Sequence, residues 1–148
     1  MAYNAGQTPM SILVVENDPS LRDTLRELLE LKGLQVETAP DGLAALSKMK
    51  SLQFDMVLTD LHMPRLNGLE LLESITGRNP RVTCVLMSSQ LSRDIKSYAR
   101  QIGVYANLDK PFLTEKRFAI IEHSMRDTQQ HTPDQHCRTA AQKAHGSI

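Results

Sequence analysis

Short apolar runs alternate along the chain with longer segments in which apolar residues recur every three or four positions. The runs are typical of buried strands, and the spaced positions are typical of helices with one apolar face. Strands are predicted at residues 12–15, 34–38, 56–60, 82–87 and 104–108. Helices are predicted between these strands and after the last one, at about residues 19–33, 41–49, 67–75, 91–102 and 114–125.

This strict alternation of strands with helices predicts an α/β fold, in which a parallel sheet carries helices on both faces. We expect a flavodoxin-like doubly wound sheet of five strands in the order 2-1-3-4-5, with five helices. In such sheets, ligands bind outside the carboxyl ends of the strands, where the strand order reverses. For this order, that point lies between the first and third strands.

The helix boundaries carry their own signals. Asp18 and Pro19 are typical of an N-cap and a first-turn proline, and Asp41 with Gly42 opens the second helix. Thr114 is predicted to cap the last helix. The side chains predicted to face the core from the second and last helices are Leu43, Leu46, Met49, Phe118, Ile121 and Met125.

The chain is predicted to form one domain at residues 11–127, preceded by an N-terminal extension at 1–10. From about Asp127 the sequence is polar and shows no periodicity, which predicts a disordered tail at 128–148. His131, His136 and Cys137 lie in this tail. Because no structural pattern surrounds them, we interpret their grouping as coincidence and not as a metal site.

The composition narrows the range of partners. The 17 basic and 17 acidic residues balance, so no overall field favours direct binding to nucleic acid or to a membrane. The two cysteines form no disulfide framework, and no transmembrane run or signal peptide is present. These features predict a protein of the reducing cytoplasm.

The candidate chemistry lies where the predicted strands end. The residues that follow or end the first, third, fourth and fifth strands are Glu16, Asn17, Asp18, Asp60, Ser88 and Lys110. Clustered carboxylates repel each other, and Mg²⁺ relieves that repulsion through oxygen ligands. A carboxylate can attack a phosphoryl group to form an aspartyl phosphate, while a lysine and a metal neutralise the transferring oxygens. We therefore interpret Asp60 as the reactive centre.

Several stretches together resemble one family. They read ILVVENDPSLR, APDGLAAL, DMVLTDLHMPRLNGLELL, VLMSS and LDKPF, and they fall within residues 11–125. In these stretches the chain resembles the receiver domain of two-component response regulators. The resemblance implies a signalling domain that catalyses at most its own phosphorylation and dephosphorylation. It also implies a sensor histidine kinase or a histidine phosphotransfer protein as the upstream partner.

The resemblance also implies roles for individual residues. Asp60 would be the phosphoacceptor, Lys110 would pair with the phosphate, and Ser88 would be the switch hydroxyl. The Lys110–Pro111 peptide bond would be cis. The implied Mg²⁺ ligands are Glu16, Asn17, Asp60 and the main-chain carbonyl of His62.

The chain departs from the family pattern at two positions. Asn17 stands where the family usually has a second acid, and Asn107 stands where an aromatic residue usually turns inward on activation. We expect Glu16 to compensate in part for Asn17, which leaves Mg²⁺ binding weak but present. Tyr105 points to the same face of its strand as Asn107. The expected effector surface lies near Ile95, Tyr98, Tyr105 and Asn107.

Two alternatives remain open. The first is a pseudo-receiver, an interaction module with the same fold and with weak or no metal-dependent phosphorylation, because Asn17 replaces an acidic ligand. The second is an enzyme or electron carrier such as a flavin protein. That function needs a phosphate-binding loop rich in Ser, Thr or Gly after the first strand. The chain has Glu-Asn-Asp-Pro there, which repels phosphate when no metal is present.

Overall fold

The computed structural model describes residues 9–110, 119 and 121–123. Within them, five strands alternate with four helices, and residues 119 and 121–123 are helical within the predicted last helix. The strands are β1 (Ser11–Val15), β2 (Gln35–Ala39), β3 (Met56–Asp60), β4 (Thr83–Ser88) and β5 (Ala106–Asp109). The helices are α1 (Pro19–Leu31), α2 (Gly42–Ser51), α3 (Gly68–Arg78) and α4 (Arg93–Gln101).

The sheet is parallel throughout, in the order β2-β1-β3-β4-β5, so the predicted fold class is confirmed. Both faces of the sheet are covered. One layer of buried side chains includes Val57 and Leu72, and the layer on the other face includes Leu25 and Leu58. Every residue of β3 and β4 is buried, as expected for central strands covered on both sides.

Two predicted strand starts are wrong for the same physical reason. Leu34 and Val104 precede their strands because each belongs to the turn that ends the helix before it. The amide of Leu34 donates to the Leu29 carbonyl at 3.3 Å, and that of Val104 donates to the Ala99 carbonyl at 2.9 Å. Each follows a glycine with positive φ. This is the Schellman motif, in which an apolar residue just after the glycine packs back on the helix.

One predicted core contact is also wrong. The side chain of Leu43 is 48% exposed, although Leu46 and Met49 pack against the core as expected. The buried face of α2 is set by Gly42 and Ala45, which lie three residues apart. Leu43 falls outside the stripe that these residues form with Leu46 and Met49, because a helix turns about 100° per residue.

Several predictions lie outside the described residues. They concern the extension before residue 9, the Lys110–Pro111 peptide, Thr114, Phe118 and Met125, and the tail at 128–148, which includes His131, His136 and Cys137. Among the helices that the structure describes, none is long and apolar enough to cross a membrane.

Candidate functional site at the carboxyl edge of the sheet

Strand register brings the candidate residues to one edge. Val15, the last residue of β1, pairs with Thr59, so Glu16 and Asp60 are neighbours where the two strands end. Asp60 pairs with Met87 of β4, and Ser88 pairs with Asp109 of β5. Lys110 follows directly, and its amide donates to the Ser88 carbonyl at 2.9 Å. The predicted edge therefore carries an acid pair, a hydroxyl and a lysine.

The centre of the site is an ion-pair triad of Lys110, Glu16 and Asp60. The Nζ atom of Lys110 lies 2.8 Å from Oε1 of Glu16 and 3.3 Å from Oδ2 of Asp60. Both acids are nearly inaccessible, with 2% of Glu16 and 7% of Asp60 exposed. Partial burial by itself lowers the pKa of Lys110. The hydrogen bond to Glu16 and the charges of both carboxylates outweigh that effect and raise this pKa above its ordinary value, so the lysine is charged at neutral pH.

Glu16 is held from several directions. Its Oε1 accepts from Lys110, and its Oε2 accepts from the amide of Asp18 at 3.0 Å. Its main-chain carbonyl accepts from Nη1 of Arg22, also at 3.0 Å. Each carboxylate oxygen already accepts from one donor and keeps a second lone pair, so a metal ion at Glu16 would share these oxygens with Lys110 and the amide of Asp18.

The two residues after Glu16 differ in their roles. Asn17 is exposed and has no formal charge. The side chain of Asp18 accepts from the amides of Ser20 at 3.0 Å and Leu21 at 3.5 Å, and Pro19 occupies the first turn of α1. The prediction that Asp18 is a helix cap is therefore confirmed.

Asp60 is fixed by its neighbours in the chain. Its Oδ1 lies 3.4 Å from the amide of His62, and its carbonyl faces Gly68 at the start of α3. A Cβ atom on Gly68 would lie 2.3 Å from that carbonyl oxygen, so only glycine fits without a shift of the backbone. The amide of Gly68 also donates to the Leu61 carbonyl at 2.9 Å. The sequence places Gly68 at a helix start but gives no sign of this contact.

Ser88 lies at the same edge and is fully buried. Its Oγ accepts from the amide of Gln90 at 3.2 Å, which is the bond expected of a strand-end hydroxyl. The side chain of His62 is exposed, and its main chain follows directly after the acid and Leu61.

The donor set fits Mg²⁺ in kind, because all the candidate ligands offer oxygen. They are two carboxylates, Glu16 and Asp60, together with the amide oxygen of Asn17 and the carbonyl of His62. Across residues 9–110, 119 and 121–123, no three His, Cys, Asp or Glu side chains are grouped closely enough to hold a metal. A metal in this site would therefore depend on the neutral donors for part of its coordination.

The expected effector surface contains two polar features that the sequence does not reveal. Tyr98 is 40% exposed, and its hydroxyl donates to Oε2 of Glu73 at 2.9 Å, which joins α4 to α3. This hydrogen bond, together with desolvation and the charge of Glu73, raises the pKa of Tyr98. The Oδ1 atom of Asn107 is buried without a hydrogen-bond partner in the part of the chain that the structure describes.

These observations define a class of protein. It is a doubly wound α/β domain with an acid pair and a lysine at the carboxyl edge, where the strand order of the sheet reverses. Comparison with known proteins identifies the family. The sequence model of the response regulator receiver domain matches residues 12–122. The chain therefore belongs to the response regulator receiver domain family.

Individual relatives agree with this assignment. The chain is 33% identical over 126 residues to the response regulator MprA of Mycolicibacterium vanbaalenii. The aligned region covers 85% of this chain and 53% of the relative. The chain thus spans about half the length of that curated relative. Among solved structures, the non-phosphorylated receiver domain of HemR from Leptospira biflexa has a TM-score of 0.74 and 28% identity, over 80% of this chain and 94% of that one.

A second solved structure is similar to a comparable degree. The response regulator TrrA of Thermotoga maritima, in complex with Mg²⁺–BeF, has a TM-score of 0.69 and 27% identity. The match covers 78% of this chain and 98% of that one. Both structures support the fold and the family assignment.

Proposed function

We propose that this domain accepts a phosphoryl group on Asp60, with Mg²⁺ bound, from a sensor histidine kinase or a histidine phosphotransfer protein. The observation that carries the proposal is the triad at the carboxyl edge. There, Lys110 lies 2.8 Å from Glu16 and 3.3 Å from Asp60, and both acids are buried. A carboxylate held beside a fixed cation at the point where the strand order reverses is well placed to receive an anionic group.

The residues divide the chemistry among them. One carboxylate oxygen of Asp60 attacks the phosphorus atom, so that a new O–P bond forms while the bond to the donor nitrogen breaks. Lys110, already 3.3 Å from this carboxylate, moves to a phosphoryl oxygen and balances its charge. The hydroxyl of Ser88 donates a hydrogen bond to a second phosphoryl oxygen. Mg²⁺ held by Glu16, Asp60, Asn17 and the His62 carbonyl would supply further neutralisation of the transferring oxygens, and the structure of TrrA in complex with Mg²⁺–BeF supports a role for this metal.

The output is a change at the surface of α4 and β5. Ser88 is the last residue of β4, and the amide of Lys110 donates to its carbonyl, so a shift of either residue toward the phosphoryl group acts on the segment that leads from β4 into α4. The surface near Ile95, Tyr98 and Asn107 then binds a downstream effector in one of two states. In this proposal the domain works in the cytoplasm and turns over no substrate other than its own acyl phosphate.

A second candidate function is favoured by a specific observation. Asn17 brings no charge, and both carboxylate oxygens of Glu16 are already bonded, to Lys110 and to the amide of Asp18. A domain whose internal lysine already neutralises one of its two acid charges has less need of a metal. Under this pseudo-receiver alternative, the fold binds a partner without phosphorylation.

Intact mass spectrometry after incubation with acetyl phosphate and Mg²⁺ separates the two functions. We expect the wild type to gain one phosphoryl mass, and Asp60→Asn and Asp60→Ala to gain none. Chelation of the metal should remove the gain in the wild type. A wild type that stays unmodified at saturating Mg²⁺ would favour the pseudo-receiver, and phosphorylation of Asp60→Ala would place the acceptor elsewhere.

A further inference from the structure

The loop between β3 and α3 contains a strained turn. The amide of Leu66 donates to the carbonyl of Pro64 at 2.8 Å, and the residue between them, Arg65, has a φ of 69°. A hydrogen bond across three residues with a positive φ at the centre defines the classic γ-turn, which is rare and strained. Arg65 is the one described residue other than glycine with a positive φ.

Strain of this kind persists only where the surroundings enforce it, and here two contacts do so. Nη2 of Arg65 lies 3.2 Å from Oδ2 of Asp41, whose side chain is 9% exposed. Leu66 lies against Gly42, where a Cβ atom would approach its side chain to 2.9 Å and its carbonyl oxygen to 3.0 Å. Both contacts join the loop to the turn that starts α2.

Asp41 contacts both α2 and the loop between β3 and α3. Its Oδ1 accepts from the amide of Ala44 at 2.8 Å, which caps α2, while its Oδ2 forms the ion pair with Arg65. The capped helix is thus a fixed anchor, and the arginine is the link between that anchor and the loop.

The loop matters because both of its ends adjoin Asp60. It begins at Leu61, whose amide donates to the Met87 carbonyl, and it closes where the amide of Gly68 donates back to the Leu61 carbonyl, each at 2.9 Å. The stretch between them carries His62, whose amide faces Oδ1 of Asp60. Any shift of the γ-turn is therefore passed to the main chain around the acceptor.

The geometry points to Asp41 and Arg65 as positioning residues, which together hold the strained turn and set the main chain around Asp60 for phosphoryl transfer. This inference rests on the proposed function for its effect on the rate. The structural part of the inference, that Asp41 and Arg65 hold the γ-turn in place, does not depend on that function. Neither residue touches the acceptor, so both act through Leu66 and His62.

Two variants separate this role from simple support of the fold. Asp41→Asn removes the charge that Arg65 needs but keeps an oxygen to cap α2. Arg65→Gly removes the guanidinium and at the same time relieves the positive φ, because glycine adopts this region freely. We expect Arg65→Gly to retain its thermal stability yet to be phosphorylated more slowly, and a purely structural residue would not produce that combination.

The expected effects are measurable in two assays. Phosphorylation by acetyl phosphate should slow by about tenfold in either variant, the lower end of the loss seen when an outer partner of a metal site is removed. Hydrogen exchange at the Leu66 amide should accelerate by about two- to fivefold, the range for an ion pair with one exposed partner. The double variant should be no slower than either single variant, because the two residues act as one unit.

Arg26→Gln is the matched control, since it removes an arginine–aspartate pair on α1, with Asp23 at 3.6 Å, away from the loop. Wild-type rates and wild-type exchange in both the Asp41→Asn and Arg65→Gly variants, or a rate loss equal to that of the control, would overturn the inference. If the wild type itself takes up no phosphoryl group, the proposed function fails. In that case faster exchange at Leu66 in both variants still supports the hold on the turn, and unchanged exchange overturns it.

Discussion

Replacement of Asn17 by aspartate is the sharpest test of how this site binds metal. The substitution restores a carboxylate next to Glu16 without adding bulk, and Asn17 is exposed, so the fold should tolerate it. We expect Asn17→Asp to tighten Mg²⁺ binding by about tenfold, since loss of even outer support of a metal site costs about 10–100-fold. Tenfold corresponds to about 1.4 kcal/mol.

The magnitude of this effect follows from the charges in the site. Attraction between a unit charge and a divalent ion at 4 Å amounts to several kcal/mol at an effective dielectric of about 20. Part of it is lost, because the new carboxylate also repels Glu16 and Asp60, and Lys110 is the one described cation that contacts both. The metal-free variant should therefore be less stable than the wild type, and saturating Mg²⁺ should reverse the order.

Two measurements check this prediction. NMR titration with Mg²⁺ at matched ionic strength gives the two affinities. Thermal unfolding at excess metal is the second measurement. There, a tenfold difference in affinity adds about 1.4 kcal/mol to the stabilisation of the variant by Mg²⁺, which raises Tm by about 4–6 °C for a domain of this size. Asn79→Asp is the charge control, because Asn79 caps the far end of α3 and should not affect Mg²⁺ binding.

Three results would count against the reasoning. Equal affinity in wild type and variant would mean that Glu16 leaves Lys110 and supplies the missing charge at no cost. If neither protein binds Mg²⁺, the pseudo-receiver alternative becomes the better account. A tighter variant that is phosphorylated no faster would mean that the metal is not what limits phosphoryl transfer.

Three further predictions follow from named contacts. Lys110→Ala should leave Mg²⁺ affinity unchanged or higher, because a competing cation is gone, while chemical shifts near Tyr98 should stop responding to phosphorylation; a full response in the variant would contradict the role of the lysine. Gly68→Ala should lower the free energy of unfolding by about 1–3 kcal/mol in urea titrations, because its Cβ would lie 2.3 Å from the Asp60 carbonyl oxygen; an unchanged midpoint would show that the backbone yields freely. Burial raises the pKa of Cys84 to about 12, so peptide mapping should find this thiol unmodified after native treatment with iodoacetamide at pH 8 and modified in urea; rapid native labelling would mean that the strand opens.

The sequence predicts much of this architecture because the relevant signals are local. Alternating apolar runs indicate the strands, and a parallel sheet brings the carboxyl ends of those strands to one edge. This is why the sequence alone places Glu16, Asp60, Ser88 and Lys110 at one edge. The helix cap at Asp18 was predictable for the same reason, since a cap depends on residues adjacent in the chain.

The features that the sequence did not reveal depend on contacts between distant segments. Leu34 looks like a strand residue, and only the hydrogen bond to Leu29 shows that it ends a helix. The link from Arg65 to Asp41 joins residues 24 positions apart, and nothing near Arg65 in the chain indicates a positive φ. The ion pair between Glu16 and Lys110 joins residues 94 positions apart. The sequence therefore places both residues at the edge without showing that they contact each other.

The charge balance of the site links Mg²⁺ binding to phosphorylation. Glu16, Asp60 and Lys110 together carry one net negative charge, which is a weak attraction for a divalent cation. Phosphorylation replaces the carboxylate charge of Asp60 with about two negative charges on the phosphoryl group, and the site then carries two. The phosphorylated domain should therefore bind Mg²⁺ more tightly than the free domain, and by linkage the metal must favour phosphorylation to the same extent. Because phosphorylation adds one negative charge whether residue 17 is neutral or acidic, Asn17 lowers the affinity for Mg²⁺ in both states and leaves the coupling between metal and phosphoryl group unchanged.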